Sequence, residues 1–280
     1  TRMGVEQIFY DHFIRAREYG AQKKAWNEMK RKDKPAFRID LEMEALLEIL
    51  EKKRFITCHS YVQSEINMLM HVADSMGFTL NTFTHILEGF KVADKMKAHG
   101  AGASTFSDWW AYKYEVKDAI PFNGALMWEQ GITVAFNSDD GEMARRLNQE
   151  AAKAVKYGGV PEEEALKFVT INPAKLLHID QMTGSLVEGK DADVVLWDHH
   201  PLSIYARAEK TFVDGVCYYD DQRDAAMREQ MKSEHQRIAK KMIQAKADGG
   251  NTQKPRYRGN PHFHCDTLDE TGSGIDFKNR

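Results

Sequence analysis

Three side chains with catalytic potential follow short apolar runs. His59 comes at the end of "RFITCHS", His85 ends "FTLNTFTH", and Asp139 ends the run "ITVAFNSD". Two imidazoles and a carboxylate suit a divalent transition metal, with zinc favoured. Such an ion lowers the pKa of bound water and polarises a carbonyl, while a nearby Asp moves the proton. The alternative is that each His is a hydrogen-bonded structural residue.

The elements that carry these residues alternate between strand and helix. Helices are predicted at 5–30, 40–52, 64–77, 91–100, 119–131 and 142–159, and strands at 54–60, 78–85, 101–108 and 132–140. This repeat is typical of the βα units of a (β/α)₈ barrel, in which the C-terminal strand ends carry the chemistry. We therefore expect His59, His85 and Asp139 to converge at one mouth.

The pattern changes after the fourth unit. A helix over 160–179 is interrupted by Asn172–Pro173, and Asp214–Gly215 marks a tight hairpin between β segments. These segments, 184–198 and 208–220, suit a small β-sandwich. A charged helix at 221–247 and an irregular tail complete the chain. We expect domains at 1–180 (half barrel), 181–220 (sandwich strands) and 221–280 (helix and tail).

Composition excludes some classes of function. The chain has 280 residues, a net charge of −3 and 42% hydrophobic residues, a balance that predicts no nucleic-acid or membrane-surface role. No apolar run approaches the length of a membrane span. Three widely spaced cysteines do not form a disulfide framework and do not define a compartment. Because residue 1 is Thr, we expect a trimmed chain or one cut from something longer.

A second group of candidates surrounds the predicted mouth. Trp109, Trp110 and Tyr112, in "STFSDWWAYKYE", can line a substrate pocket or pack on the barrel rim. Asp108 can orient a ligand or cap the next segment. Asp140 fits the N-terminal cap of a helix better than a metal ligand.

Further candidates fit structural roles better than catalytic ones. Glu65 and Glu88 follow the two histidines and can hydrogen-bond a ligand imidazole, although solvated or capping roles suit them better. His262 and His264 in "PHFHC" resemble metal ligands in composition only.

Several motifs resemble those of the amidohydrolase superfamily, and most closely its imidazolonepropionase-related members. The segments "TINPAKLLHI", "GSLVEGKDADVVLWD" and "AEKTFVDGVCYYD" are similar to that family's C-terminal signature. "TCHS", "FTHILEG" and "NSDD" resemble its motifs on barrel strands five, six and eight. The resemblance implies that His59 and His85 bind metal and that Asp139 is both a ligand and the catalytic base. It also implies one or two ions, a number that the ligand on strand four decides.

The chain departs from the family pattern in its first part. No His-x-His pair and no ligand of strand four precede His59. We therefore expect the second half of a (β/α)₈ barrel with strands of a small β-sandwich, completed by an N-terminal fragment that supplies the His-x-His and strands one to four. The assembled unit is expected to form a homo-oligomer.

The function expected from the residues and the resemblance is hydrolysis of a C–N bond in an amide, a cyclic amide or a peptide. A metal-activated water would attack, with Asp139 as general base and His85 as a ligand or oxyanion stabiliser. Two alternatives stay open: a non-catalytic subunit or structural fragment of such a barrel, and a carbohydrate- or peptide-binding module that uses the aromatic loop.

Overall fold

A computed structural model describes residues 2–107, 109–251 and 253. The chain divides into two compact units. The first holds residues up to Ser138 together with Arg146–Lys190, and the second holds Asp139–Arg145 and the described residues from Asp191 onward. Asp108, His262 and His264 lie outside the described residues, as does the tail from residue 254. The domain limits at 180 and 220 stay predictions.

Ten α-helices, three short 3₁₀ helices and seven strands are formed by the described residues. The helices are α1 Arg2–Glu28, α2 Leu41–Leu50, α3 Gln63–Met76, α4 Ala93–His99, α5 Asn123–Glu129, α6 Gly141–Ala144, α7 Leu147–Gly158, α8 Glu162–Lys167, α9 Ile171–Leu176 and α10 Asp221–Ala247. The strands are β1 Thr57–His59, β2 Thr82–Thr84, β3 Gly102–Thr105, β4 Val134–Phe136, β5 Val194–Trp197, β6 Ala208–Val213 and β7 Val216–Asp220.

The first unit is built on a parallel sheet in the order β1-β2-β3-β4. Helices connect the strands, as parallel pairing requires, because a crossover must return the chain to the same end of the sheet. This is the α/β fold expected for the second half of a (β/α)₈ barrel, with the barrel not closed by the described strands. All four strands therefore place their carboxyl ends along one edge.

The two faces of this sheet differ in burial. Phe83 and Ala103, which are paired across β2 and β3, are fully buried, and α5, α7 and α9 contact the neighbouring β4. Successive side chains of a strand point to opposite faces. His59 is paired with Thr84 and so lies on the other face, where it is exposed. His59 thus lies on the face opposite Phe83 and Ala103, which a closed barrel turns inward.

Local signals define most element ends. The Asp40 side chain caps α2 by accepting hydrogen bonds from the N–H groups of Glu42 and Met43. Gly77 and Gly100 end α3 and α4 with φ of 83° and 90°, which glycine adopts without steric cost.

The predicted break at Asn172–Pro173 was wrong. Both residues lie inside α9, and the chain bends before it, between α8 and α9. Proline is tolerated in the first turn of a helix because its missing N–H would have no intrahelical partner there. The predicted helix over 142–159 is likewise interrupted between α6 and α7.

The second unit contains an antiparallel sheet in the order β5-β6-β7. Asp214 and Gly215 connect β6 to β7 with φ of 50° and 77°, as the hairpin signal predicts. The helix expected at 221–247 is α10, which carries exposed apolar side chains, Met227, Met231, Ile238 and Met242. None of the described helices combines the length and the hydropathy needed to cross a membrane.

Asn123 connects the loop after β2 to β3 by hydrogen bonds, and their contribution to the stability of the first unit can be tested. Its buried amide donates to the Ile86 carbonyl at 2.7 Å and to Thr105 Oγ1 at 2.9 Å, and accepts from the Phe90 N–H at 2.9 Å. Asn123→Ala leaves buried groups unpaired and should lower the free energy of unfolding by about 3 kcal/mol in urea titrations. Asn27→Ala on the exposed surface of α1 is the matched control, with an effect of about 0.5 kcal/mol or less. Equal losses for the two variants would contradict this role.

Candidate active site

Two histidines meet at the carboxyl edge of the parallel sheet. His59 is the last residue of β1, and His85 directly follows β2. Because β1 and β2 pair in parallel, with His59 opposite Thr84, the two imidazoles are brought side by side. Their ring centroids are 4.4 Å apart and the rings are nearly perpendicular, at 82°.

Aromatic residues hold the His85 ring. Phe106 stacks on it with a centroid distance of 4.6 Å and an interplanar angle of 14°. Tyr61 contacts the His59 ring edge-on at 4.9 Å, and the Nδ1 atom of His85 is buried. Phe106 and Tyr61 were missed at the sequence level. Each follows a strand of the sheet by one or two residues, and that position was the available signal.

The two adjacent carboxylates after β4 have different backbones and roles. Asp140 is extended, with φ −152°, and its side chain caps α6 by accepting from the N–H groups of Glu142 and Met143, both at 2.9 Å. Asp139 has φ 51°, in the left-handed region. The predicted capping role of Asp140 is therefore confirmed. Asp139 belongs to the second unit, and its convergence with His59 and His85 stays a prediction.

Left-handed residues other than glycine follow three strands of the sheet. His85 follows β2 with φ 60°, Trp109 follows β3 with φ 68°, and Asp139 follows β4 with φ 51°. Such a conformation costs an L-residue about 1–2 kcal/mol, less for Asp, and it persists where the surrounding structure enforces it. Strain of this kind is enriched at functional sites. Lys52, Ala111, His178 and Asp214 also have φ in this region, so the conformation is not confined to these three positions.

The predicted aromatic wall contains two kinds of residue. Trp109 is half-buried against the cluster of Leu87, Phe106 and Val116, and its Nε1–H donates to the carbonyl oxygen of Ser138 at 3.0 Å. Trp110 and Tyr112 are exposed by 42% and 41%. Trp109 thus packs on the rim, whereas the other two rings are accessible to a ligand.

A buried carboxylate lies beneath the loop after β3. Glu150 on α7 is 1% exposed, accepts a hydrogen bond from the Ser107 hydroxyl and binds Nζ of Lys153 at 2.9 and 3.0 Å. Sequence analysis missed it. The available signal was its place beside Ala151 and Ala154 on the buried face of α7, where a charge needs a partner.

Other polar candidates have structural partners. Glu88 is buried and accepts the Gln63 N–H at 3.0 Å, at the start of α3, so it caps that helix. His99 accepts the Leu80 N–H at 3.0 Å and donates from Nδ1 to Asp74 at 2.7 Å.

The thiol next to His59 does not qualify as a nucleophile. Burial, with a smaller contribution from the Glu65 carboxylate, raises the pKa of the Cys58 thiol to about 11. This thiol is therefore protonated near neutral pH.

The donor chemistry at the edge fits a metal in part. His59 and His85 present two imidazoles within reach of a common ion, since zinc binds imidazole nitrogen at about 2.0 Å. Among the residues that the structure describes, no group of three or more His, Cys, Asp or Glu is arranged to hold a metal. A complete site needs a further donor, which is the role predicted for Asp139 and for the His-x-His of the partner.

Sequence comparison relates the chain to known hydrolases. A model of the amidohydrolase family matches residues 111–219. The amidohydrolase tasK of Hapsidospora irregularis is 30% identical over 187 residues, which are 65% of this chain and 19% of that protein. An imidazolonepropionase of Thermoplasma volcanium is 28% identical over 138 residues, 48% of this chain and 33% of the relative. The chain thus spans a third or less of these curated relatives.

Structural comparison gives the same relationship. An amidohydrolase from Thermotoga maritima MSB8 superposes with a TM-score of 0.70 at 28% identity, covering 79% of this chain and 57% of that one. An adenosine deaminase from Xanthomonas campestris with bound zinc has a TM-score of 0.52 at 15% identity, covering 72% of this chain and 55% of that one, a likeness of fold alone.

The capping role of Asp140 can be tested on stability. Asp140→Ala removes the acceptor for two N–H groups of α6 and should lower the free energy of unfolding by about 1 kcal/mol. Asp140→Ser keeps a capping oxygen and should retain most of that stability. Thermal and urea unfolding of both variants measure the difference. If Ala and Ser prove equally stable, the side chain is not acting as a cap.

Proposed function

Because this chain belongs to the amidohydrolase superfamily and has imidazolonepropionases among its relatives, we propose that it is part of a metal-dependent hydrolase. The bond cleaved is a C–N bond of an amide, a cyclic amide or a peptide. The observation that carries the proposal is a pair of imidazoles at the carboxyl ends of two neighbouring parallel strands, with ring centroids 4.4 Å apart. That edge is where barrels of this type carry their chemistry.

The proposed site uses His59, His85 and Asp139 as ligands of one or two divalent ions, with zinc favoured. A bound ion of this kind supplies Lewis acidity toward a carbonyl and lowers the pKa of water. Asp139 accepts the proton of the attacking water and delivers it to the leaving nitrogen, so that the amine departs neutral. His85 is held by Phe106 in a fixed orientation, which suits a ligand or a donor to the developing oxyanion.

The accessible aromatic rings are proposed to contact the substrate. Trp110 and Tyr112 follow β3 and expose 42% and 41% of their surface. Large rigid rings lose little conformational entropy on binding, which suits them to the wall of a pocket for a small molecule or peptide. Trp109 joins this wall from the rim.

We also propose a partner segment that completes the barrel. Within the described sheet, β1 and β4 each pair with one neighbouring strand, so the sheet has two edges. On the outer side of β4, the Phe136 N–H donates to the Phe168 carbonyl and the Val134 carbonyl accepts from the Asn172 amide, so the edge at β1 is the more open of the two. Strands one to four, with the His-x-His, would cover both edges and the face that carries His59. Whether that segment is a separate polypeptide or part of one longer chain, the interface would be intimate.

The role of Asp139 is tested by Asp139→Asn in the complete protein that contains this chain. The amide cannot accept the proton, so kcat on a panel of N-acyl amino acids, dipeptides and cyclic amides should fall by about 10²–10⁴-fold. Asp140→Asn is the matched control, because Asn caps helices as well as Asp does. Circular dichroism should show both variants folded. Turnover by Asp139→Asn at the wild-type rate would rule out its role as base.

The metal-binding role of His59 is tested by His59→Ala. Loss of one imidazole should weaken zinc affinity by about 100-fold in chelator competition, because the remaining donors hold the ion less firmly. His71→Ala, at an exposed position of α3, removes an imidazole outside the site and should leave the affinity unchanged. Equal zinc affinity for the wild type and His59→Ala would remove His59 from the ligand set.

The partner segment is tested by chemical cross-linking and mass spectrometry of the complete protein. Lys53, which is exposed just before β1, should cross-link to the segment that carries the His-x-His. Lys240 on α10 offers a control lysine that lies outside the sheet. Residues 1–280 expressed alone should show little turnover. Full activity of that isolated chain would contradict the need for a partner.

A further inference from the structure

Trp109 makes a hydrogen bond that the substrate-wall role does not require. Its indole Nε1–H donates to the carbonyl oxygen of Ser138 at 3.0 Å. That carbonyl belongs to the peptide group that connects Ser138 to Asp139. The indole therefore restrains the peptide plane on which the proposed base is mounted.

The backbone at Asp139 needs such a restraint. Its φ of 51° is costly for a residue with a Cβ, whereas Asp140 returns to an extended conformation at φ −152°. The strained peptide separates two neighbouring carboxylates, one of which is committed to capping α6. A hydrogen bond to the preceding carbonyl favours the one orientation of the peptide that allows this separation.

Trp109 is itself held firmly. Its ring packs against the cluster of Leu87, Phe106 and Val116 and lies 5.2 Å from the ring of Tyr112. Two residues earlier in the chain, the Ser107 hydroxyl is hydrogen-bonded to Glu150, a carboxylate that is 1% exposed. The indole is therefore held by ring packing as well as by its hydrogen bond.

The same segment also contacts His85. Phe106 stacks on that imidazole at 4.6 Å, and Ser107 and Trp109 follow shortly after it. Phe106 and Trp109, which both follow β3, thus contact the ring of one proposed ligand and the peptide that carries another.

We infer that Trp109 is a positioning residue, which sets the orientation of Asp139 through the indole hydrogen bond to Ser138. This inference rests on the proposed function. It assigns to the indole N–H a role in turnover rather than in substrate affinity, because the N–H is directed at the backbone of the chain itself.

The experiment removes the indole N–H, in one variant with the shape of the bicyclic ring kept. Trp109 in the complete zinc-loaded protein is exchanged for β-(3-benzothienyl)alanine, and in a second variant for Phe. Misplacement of a catalytic group by about 1 Å costs on the order of 10²-fold, so kcat should fall by about 10- to 100-fold with KM changed less than about 3-fold. Zinc affinity, measured by chelator competition, should fall as well, since Asp139 is a proposed ligand.

The matched control is the same pair of replacements at Trp128, which lies on α5 outside the proposed site. These should leave kcat, KM and zinc affinity unchanged. Thermal unfolding of all variants separates loss of function from loss of fold. If a Trp109 variant unfolds, Trp109→His is used in its place. Its ring N–H can donate to the Ser138 carbonyl, so kcat should be higher than in the folded variant that lacks a donor.

The outcomes distinguish the two levels of the proposal. If the wild type turns over substrate and the Trp109 variants keep kcat and zinc affinity, the positioning role is wrong and the proposed function stands. A rise in KM at constant kcat would also overturn the positioning role and assign Trp109 to substrate binding. A wild type with neither turnover nor zinc binding would overturn both.

Discussion

The parallel pairing of β1 to β4 determines which side chains of this chain can meet. Parallel strands place all their carboxyl ends on one edge, so residues separated by long stretches of sequence come next to each other in space. His59 and His85 are neighbours for this reason, with centroids 4.4 Å apart although a whole helix, α3, separates them in the chain. The register fixes the face as well, because the pairing of His59 with Thr84 places the imidazole on the face opposite Phe83 and Ala103. Shifting this register by one residue would bury His59 under the helices.

The loops that follow three strands of the sheet contain non-glycine residues in the left-handed region, as do Lys52, His178 and Asp214 elsewhere in the chain. His85, Trp109 and Asp139 each follow a strand in the left-handed region. Each of these residues has a supporting contact close by. Phe106 stacks on the His85 ring, and the Trp109 indole donates to the Ser138 carbonyl, next to Asp139. Asp140, which follows Asp139, caps the start of α6. The strain and its supports connect the fold to the proposed chemistry, since a ligand or base on a mobile loop would not keep its orientation.

Sequence patterns predicted the features that depend on local chemistry. The four strands, the Asp40 cap, the glycine ends of α3 and α4, and the turn at Asp214–Gly215 follow from side-chain periodicity and backbone freedom. The patterns did not reveal contacts set by packing. In the sequence, Glu150 is one of several charged residues of a polar helix, and only the structure shows its hydrogen bond from the Ser107 hydroxyl. Pro173 predicts a helix break, whereas the structure places it in the first turn of α9. The pairing of Phe106 with His85 required the register of the sheet.

The central claim is that two imidazoles and one carboxylate share an ion at the carboxyl edge of the sheet. A crystal structure of the complete protein, with anomalous diffraction recorded at the zinc edge, tests it most directly. An ion is expected within about 2.0–2.2 Å of nitrogen atoms of His59 and His85 and of an Asp139 oxygen. An ion bound elsewhere, or an Asp139 carboxylate that points away from both imidazoles, would contradict it.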